Sequence, residues 1–100
     1  MSGLVYISGP MSGYEDFNCP AFDRAEAKLR KRGWRTINPA DHGIVPDWSW
    51  GDYLRLDIRE LSYCDSIYML NGWASSKGAR LERHIAKELG MTVYYESEEA

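Results

Sequence analysis

The sequence predicts a three-layer α/β domain of the flavodoxin or Rossmann-like kind, with four parallel strands in the order 2-1-3-4. Three observations predict it. Short apolar runs alternate with helical patterns in the order βαβαβαβ. The runs lack polar alternation, as strands buried on both faces of a parallel sheet do. One hundred residues supply one such core and no second lobe.

The elements follow in order. Leu4 to Ile7 is a continuous apolar run closed by Ser8-Gly9-Pro10, a strand and its turn. Ala21 to Arg32 carries Phe22, Ala25 and Leu29 at helical spacing and stops at Gly33. Trp34 to Ile37 is a second strand, closed by Asn38-Pro39. Trp50 to Tyr63 is a helix with Leu54, Ile58 and Leu61 inward, and Ser66 to Leu70 is a third strand ending at Asn71-Gly72. Lys77 to Leu89 is a third helix stopped by Gly90, and Met91 to Tyr95 is a fourth strand. The domain is thus expected over residues 1–95, with residues 96–100 a fraying acidic tail. Ligands of such sheets bind beyond the carboxyl ends of the strands, where the order reverses. That point lies between the first and third strands and gathers Ser8 to Gly13, Asn38 to Trp50, and Asn71 to Gly78.

Composition narrows the function classes. Apolar residues at 44% and charged residues at 27% are ordinary for a globular protein. The net charge of −3 argues against a nucleic-acid polymer as partner, though a pocket's local potential can still hold a small anion. Four Trp and seven Tyr exceed what a small core needs and suggest a stacking or interface surface. No apolar run reaches a membrane span and no leader pattern opens the chain. Cys19 and Cys64 form no metal spacing and read as reduced thiols. A cytoplasmic protein is expected.

The third helix gives the sharpest signal. Gly78, Leu81, Ile85, Ala86 and Leu89 fall on one arc, and Lys77, Arg80, Arg83, His84, Lys87 and Glu88 on the other. Glu82 projects into the apolar arc. A carboxylate buried without partners is costly, so Glu82 needs a partner or a purpose. The plainer purpose is to cap a neighbouring loop; the sharper one is nucleophilic. The second helix repeats the anomaly. Its outward arc holds Asp52, Arg55, Arg59 and Glu60, while Asp57 falls on the apolar arc. Two carboxyls in different environments are standard equipment for cleaving glycosidic bonds.

Weaker signals surround these two. The loop Ser8-Gly9-Pro10-Met11-Ser12-Gly13 allows close backbone approach and offers hydroxyls to a phosphate or ribose, or is simply a turn. Ser75-Ser76-Lys77-Gly78 opens the third helix, where free N–H groups suit an anion and a serine equally suits an N-cap. Trp48, Trp50 and Trp73 lie at the same rim and are candidates for stacking on a base, or for loop anchoring or an interface. His42 and His84 are far apart, no metal site is expected, and no cofactor is called for. Cys64 reads as packing rather than a nucleophile.

Together, Tyr6-Ile7-Ser8-Gly9-Pro10-Met11-Ser12-Gly13, Asp57 followed by Cys64-Asp65, and Ser76-Lys77-Gly78-Ala79-Arg80-Leu81-Glu82-Arg83-His84-Ile85-Ala86 resemble the nucleoside 2-deoxyribosyltransferase-like superfamily. Among its enzymes the pattern is similar to the 2'-deoxynucleoside 5'-phosphate N-hydrolases. The resemblance implies that Glu82 attacks the anomeric carbon of a deoxyribose. It implies that Asp57 transfers a proton or orients Glu82, that Tyr6 lies beside the sugar, and that Ser76 helps bind a 5'-phosphate. It also implies a homodimer. Family enzymes usually carry a fifth strand, whereas four are read here, and the stretch from Asp65 to Glu82 is one residue longer than in the hydrolases. The leading expectation is an N-glycosidase or deoxyribosyltransferase acting on a nucleotide or nucleoside. The alternatives are a non-catalytic module that binds or sequesters a nucleotide-derived ligand, and an interaction protein whose aromatics form a partner surface.

Overall fold

A computed structural model describes residues 3–98. Four strands, β1 (Leu4–Ser8), β2 (Arg35–Ile37), β3 (Ser66–Met69) and β4 (Thr92–Tyr95), form one sheet in the order β2-β1-β3-β4. Every pairing is parallel, with Tyr6 opposite Ile37 on one side and Ile67 on the other. Three helices connect the strands: α1 (Cys19–Lys31), α2 (Trp50–Leu61) and α3 (Lys77–Glu88). The expected class and strand order are those observed.

The two faces of the sheet follow from the two-residue period of a strand. Val5 and Ile7 of β1, with Tyr68 and Leu70 at and after β3, point to one face and pack on Phe22, Ala25 and Leu29 of α1. Tyr6, Ile67 and Met69 point to the other face, onto Leu61 at the end of α2 and Ala79 and Ala86 of α3. Burying a side chain the size of Phe22 or Leu29 contributes roughly 1.5–3 kcal/mol, and such burial holds the layers together.

The helices are well started. Ser49 caps α2 in a reciprocal box: its hydroxyl accepts from the Asp52 N–H at 3.2 Å, and the Asp52 carboxylate accepts from the Ser49 N–H at 2.8 Å. Ser76 caps α3 by accepting from the Ala79 N–H at 3.2 Å. Asn38, buried after β2, accepts from the Ala40 N–H at 2.9 Å and donates to Asp23 at 3.0 Å. That pins the turn Pro39–His42, which carries the chain from β2 toward α2.

The inward face of α3 differs from the periodic expectation. Ala79, Glu82 and Ala86 are the buried residues, while Leu81 and Leu89 are 37% and 57% exposed. The helix is rotated so that two alanines and the glutamate meet the sheet. Small side chains let its backbone come close, and Glu82 finds donors there that no leucine could use. On α2, Glu60 is not a solvent-facing charge either; it is half-buried against His42. Of the acidic stretch expected to fray, Glu96–Glu98 form one 3-10 turn, and the Glu96 carboxylate accepts from the Asn71 N–H at 2.8 Å. Residues 99 and 100 lie outside the described residues. Among the described residues, no helix is long and apolar enough to cross a membrane.

Candidate functional site

A cavity of about 820 Å³ opens at the carboxyl ends of β1 and β3, where the strand order reverses. That volume lies within the usual range for sites that enclose a small ligand. Its wall draws on the loop after β1, the turn after β2, one face of α2 and the first turns of α3. On α2, Trp50, Tyr53, Leu54 and Asp57 line it at i, i+3, i+4 and i+7, so a single helical stripe faces the opening.

Glu82 sits on this wall and is only 6% exposed. The Ser8 hydroxyl donates to Oε1 at 2.6 Å and the Tyr6 hydroxyl donates to Oε2 at 3.0 Å. Tyr6 and Ser8 are two residues apart on β1 and therefore share a face, and that face looks at α3. Burial pushes the Glu82 carboxyl up to about 7, while the hydrogen bonds from Ser8 and Tyr6 pull it down. Burial, together with the charges of Glu82 and Asp57, holds the Tyr6 phenol well above its ordinary value, so Tyr6 stays a donor.

Asp57 shares the cavity wall. Its carboxyl is pushed up to about 7 by burial, then by the charge of Glu82; His42 opposes this and Glu60 adds to it. Near neutrality the two carboxyls are therefore poised to hold about one proton between them. Two donors stabilise charge on Glu82, and none of comparable quality reaches Asp57 among the described residues. The Ser8 and Tyr6 donors favour the charge on Glu82, while His42 opposes the rise at Asp57.

His42 is the residue that periodicity missed. It stands in the turn after β2, lines the cavity, and places Nε2 2.6 Å from Glu60 Oε1 and 3.6 Å from Asp57 Oδ1. Nε2, Oδ1 and Oε1 are sealed from solvent. These three atoms lie within 4.8 Å of one another. Two atoms bound tetrahedrally to one zinc stand roughly 3.3 Å apart at ordinary bond lengths. The 2.6 Å contact is shorter than that and belongs to a direct contact between the two side chains.

The remaining expected residues divide. Gly9, Pro10 and Met11 line the cavity, as do Trp50, Ser75, Ser76 and Gly78. Ser8 does not; it turns its hydroxyl to Glu82 instead of to a ligand. Gly13 is exposed, off the wall, and at φ +83°, so its role is the turn itself. Trp48 is off the wall and packs edge-on against Tyr53 at 5.1 Å between ring centroids. Trp73 is also off the wall, 5.8 Å from Tyr95 and capped by the Arg83 guanidinium at 4.8 Å. The plainer reading, loop anchoring, describes both tryptophans. Lys77 lies on the wall with its ammonium 4.8 Å over the Trp50 ring. The segment Asp16-Phe17-Asn18 reaches the mouth with three successive left-handed residues, anchored by Asn18 donating to the Pro10 carbonyl at 2.9 Å. Cys64 is buried, and burial pushes its thiol up to about 12, so it packs rather than reacts.

No curated protein matches the chain. A family model described as Domain of unknown function (DUF4406) matches residues 4–95, a span that holds all four strands, Glu82, Asp57 and His42, and the chain therefore belongs to that family.

Proposed function

We propose that the protein is an N-glycosidase or deoxyribosyltransferase of the nucleoside 2-deoxyribosyltransferase-like kind, acting on a nucleotide or nucleoside. One observation carries the reading: a buried glutamate that accepts from two hydroxyl donors shares a ligand-sized cavity with a second carboxyl, and burial pushes both up to about 7.

The proposed chemistry uses Glu82 ionised and Asp57 protonated. A Glu82 oxygen attacks the anomeric carbon, and the bond from that carbon to the base nitrogen breaks. Asp57 gives its proton to the departing base, and a glycosyl ester forms on Glu82. Water then attacks the same carbon, the Asp57 carboxylate takes its proton, and Glu82 is freed. In a transferase a second base replaces the water. Desolvation by the apolar wall strengthens the fields of both carboxyls at the reacting carbon. Trp50 and Tyr53 offer faces to a base, and the start of α3, with Ser75, Ser76, Lys77 and Gly78, offers the positive end of a helix to an anionic group.

The test is release of free base from a panel of deoxynucleosides and their 5'-monophosphates, followed by chromatography. Release by the intact protein and none by Glu82→Ala supports the reading. A folded protein that cleaves no member of the panel overturns it. A nucleotide that raises the melting temperature and is recovered intact assigns the cavity to binding without turnover.

A further inference from the structure

The proposed reaction does not use His42, yet His42 is built into the wall beside Asp57 with unusual care. Glu60 and Asp57 are three residues apart on α2 and so face the same way, and His42 arrives between them from the turn after β2. Asn38 and Pro39 fix that turn: the Asn38 side chain accepts from Ala40 and donates to Asp23 and, at 3.3 Å, to Glu26. The imidazole thus hangs from a braced turn onto a braced helix. A histidine merely filling space would not need its Nε2 sealed from water against two carboxylate oxygens.

We infer that His42, gripped by Glu60, is the positioning residue that sets how tightly Asp57 holds the proton it gives to the departing base. The inference rests on the N-glycosidase reading for its purpose, though not for its physics. Asp57 faces Glu82 from α3, Tyr6 from β1, Glu60 from its own helix, and His42. Burial, then the charges of Glu82 and Glu60, tighten the hold of Asp57 on its proton. His42 is the group that opposes them. Glu60, in direct contact at 2.6 Å, fixes the His42 ring in place, and Asp41 precedes it on the same turn. Held there, Nε2 stands 3.6 Å from Asp57 Oδ1, close enough for a proton on the ring to loosen the one on Asp57.

The test follows the carboxyl carbon of Asp57 by NMR titration of the ligand-free protein with labelled aspartate, assigned through Asp57→Asn. In His42→Gln the Asp57 midpoint is expected to move to higher pH by about one unit, a tenfold tighter hold on the proton. An Asp57 midpoint unchanged by His42→Gln overturns the inference. Should that variant fail to fold, the intact protein still decides. An Asp57 signal that shows a second step at the imidazole midpoint of His42 supports the coupling, and an Asp57 signal blind to His42 ionisation overturns it. Because no turnover is measured, failure of the coupling is distinct from failure of the glycosidase reading. With a substrate in hand, His42→Gln is expected to lower kcat and move its alkaline limb upward while leaving KM in place, a split that loss of packing alone would not give.

Discussion

The Ser8 hydroxyl stands 2.6 Å from Glu82 Oε1, a hydrogen bond between a strand residue and a helix residue, both buried. It joins the first strand to the third helix across the floor of the cavity and makes Ser8 part of the carboxylate's support rather than part of the ligand's cradle. A hydrogen bond to a charged acceptor contributes about 1.5–3 kcal/mol, equivalent to roughly one to two pK units. Ser8→Ala is therefore expected to raise the Glu82 midpoint by about one unit. In the proposed reaction Glu82 attacks as the ionised form, so the acid limb of that activity should move up with it. kcat is expected to fall about 10- to 100-fold, in line with that loss of charge stabilisation, and Ser8→Thr to restore most of it. A pH–rate profile in which Ser8→Ala leaves the acid limb in place would refute this role.

Burying Glu82 also gives stability a particular pH dependence. Its folded midpoint, about 7, is above the unfolded value, and the same holds for Asp57. The stability each contributes is fully present below the unfolded midpoints near pH 4 and is lost as pH rises through about 7. Glu26 acts in the opposite sense. Burial pushes it up, but Thr36, Asn38 and Arg30 together hold it below its ordinary value. Its contribution is present at neutral pH and is lost as pH falls through that lowered midpoint. Glu82→Gln is thus expected to melt close to the intact protein at pH 4–5 and above it at pH 8, by at most about 3 kcal/mol. The Tyr6 and Ser8 hydroxyls can turn to satisfy the amide. Thermal melts across that range check the sign: an activity-dead variant that is no more stable than the parent at pH 8 would contradict it.

The sheet and its order were legible because each strand is a short run without polar alternation, and β1 and β3 are buried along nearly their whole length. Glu82 and Asp57 were legible because a carboxylate on an apolar arc has no cheap explanation. The exact face of α3 was not. Leu81 and Leu89 weighted the arc toward themselves, whereas the helix turns so that Ala79 and Ala86 approach the sheet and Glu82 reaches Ser8 and Tyr6. That choice is made by donors on another element, which helical period cannot see. His42 was invisible for the same reason: it comes from a turn, and only the path of Asn38-Pro39 brings it between Asp57 and Glu60. Three rim tryptophans looked equivalent in sequence because loop course, not composition, decides which one faces the cavity.

Gly9 follows β1 where the backbone passes close to Leu70. A Cβ placed on Gly9 would lie 2.8 Å from Leu70 Cβ and 2.9 Å from Leu70 Cδ1. The first of those atoms cannot swing away, so the loop or the end of β3 must shift. Gly9→Ala is expected to cost about 1–3 kcal/mol of stability, as overpacking of a core commonly does. Gly13→Ala strains a left-handed turn at φ +83° but meets nothing within 4 Å, so its cost is that of the backbone alone. Urea unfolding of the two variants checks the difference. With Gly9→Ala as stable as the parent, the close approach to Leu70 would have to be abandoned as the reason for a glycine there.

The tryptophans separate stacking from anchoring. Trp50 lines the cavity beneath the Lys77 ammonium, and the site for a Cβ on Gly78 lies 3.8 Å from its ring, so helix start, cation and indole form one corner. Removing an aromatic face that a base stacks on costs about 1–3 kcal/mol of binding, a factor of roughly 5 to 150 in Kd. Trp50→Ala is expected to weaken nucleotide binding by such a factor with little loss of stability, since Trp50 is itself exposed at 46%. Trp73→Ala removes the face under Arg83 and the contact with Tyr95, and Trp48→Ala removes the edge contact with Tyr53. Both are expected to lower the melting temperature and to leave Kd within about twofold, well under the cost of one lost stacking contact. Calorimetric titration of a 5'-monophosphate into the three variants checks the ordering. Equal losses of affinity in all three would mean that loop order at the rim, and not contact with Trp50, governs how the ligand is held.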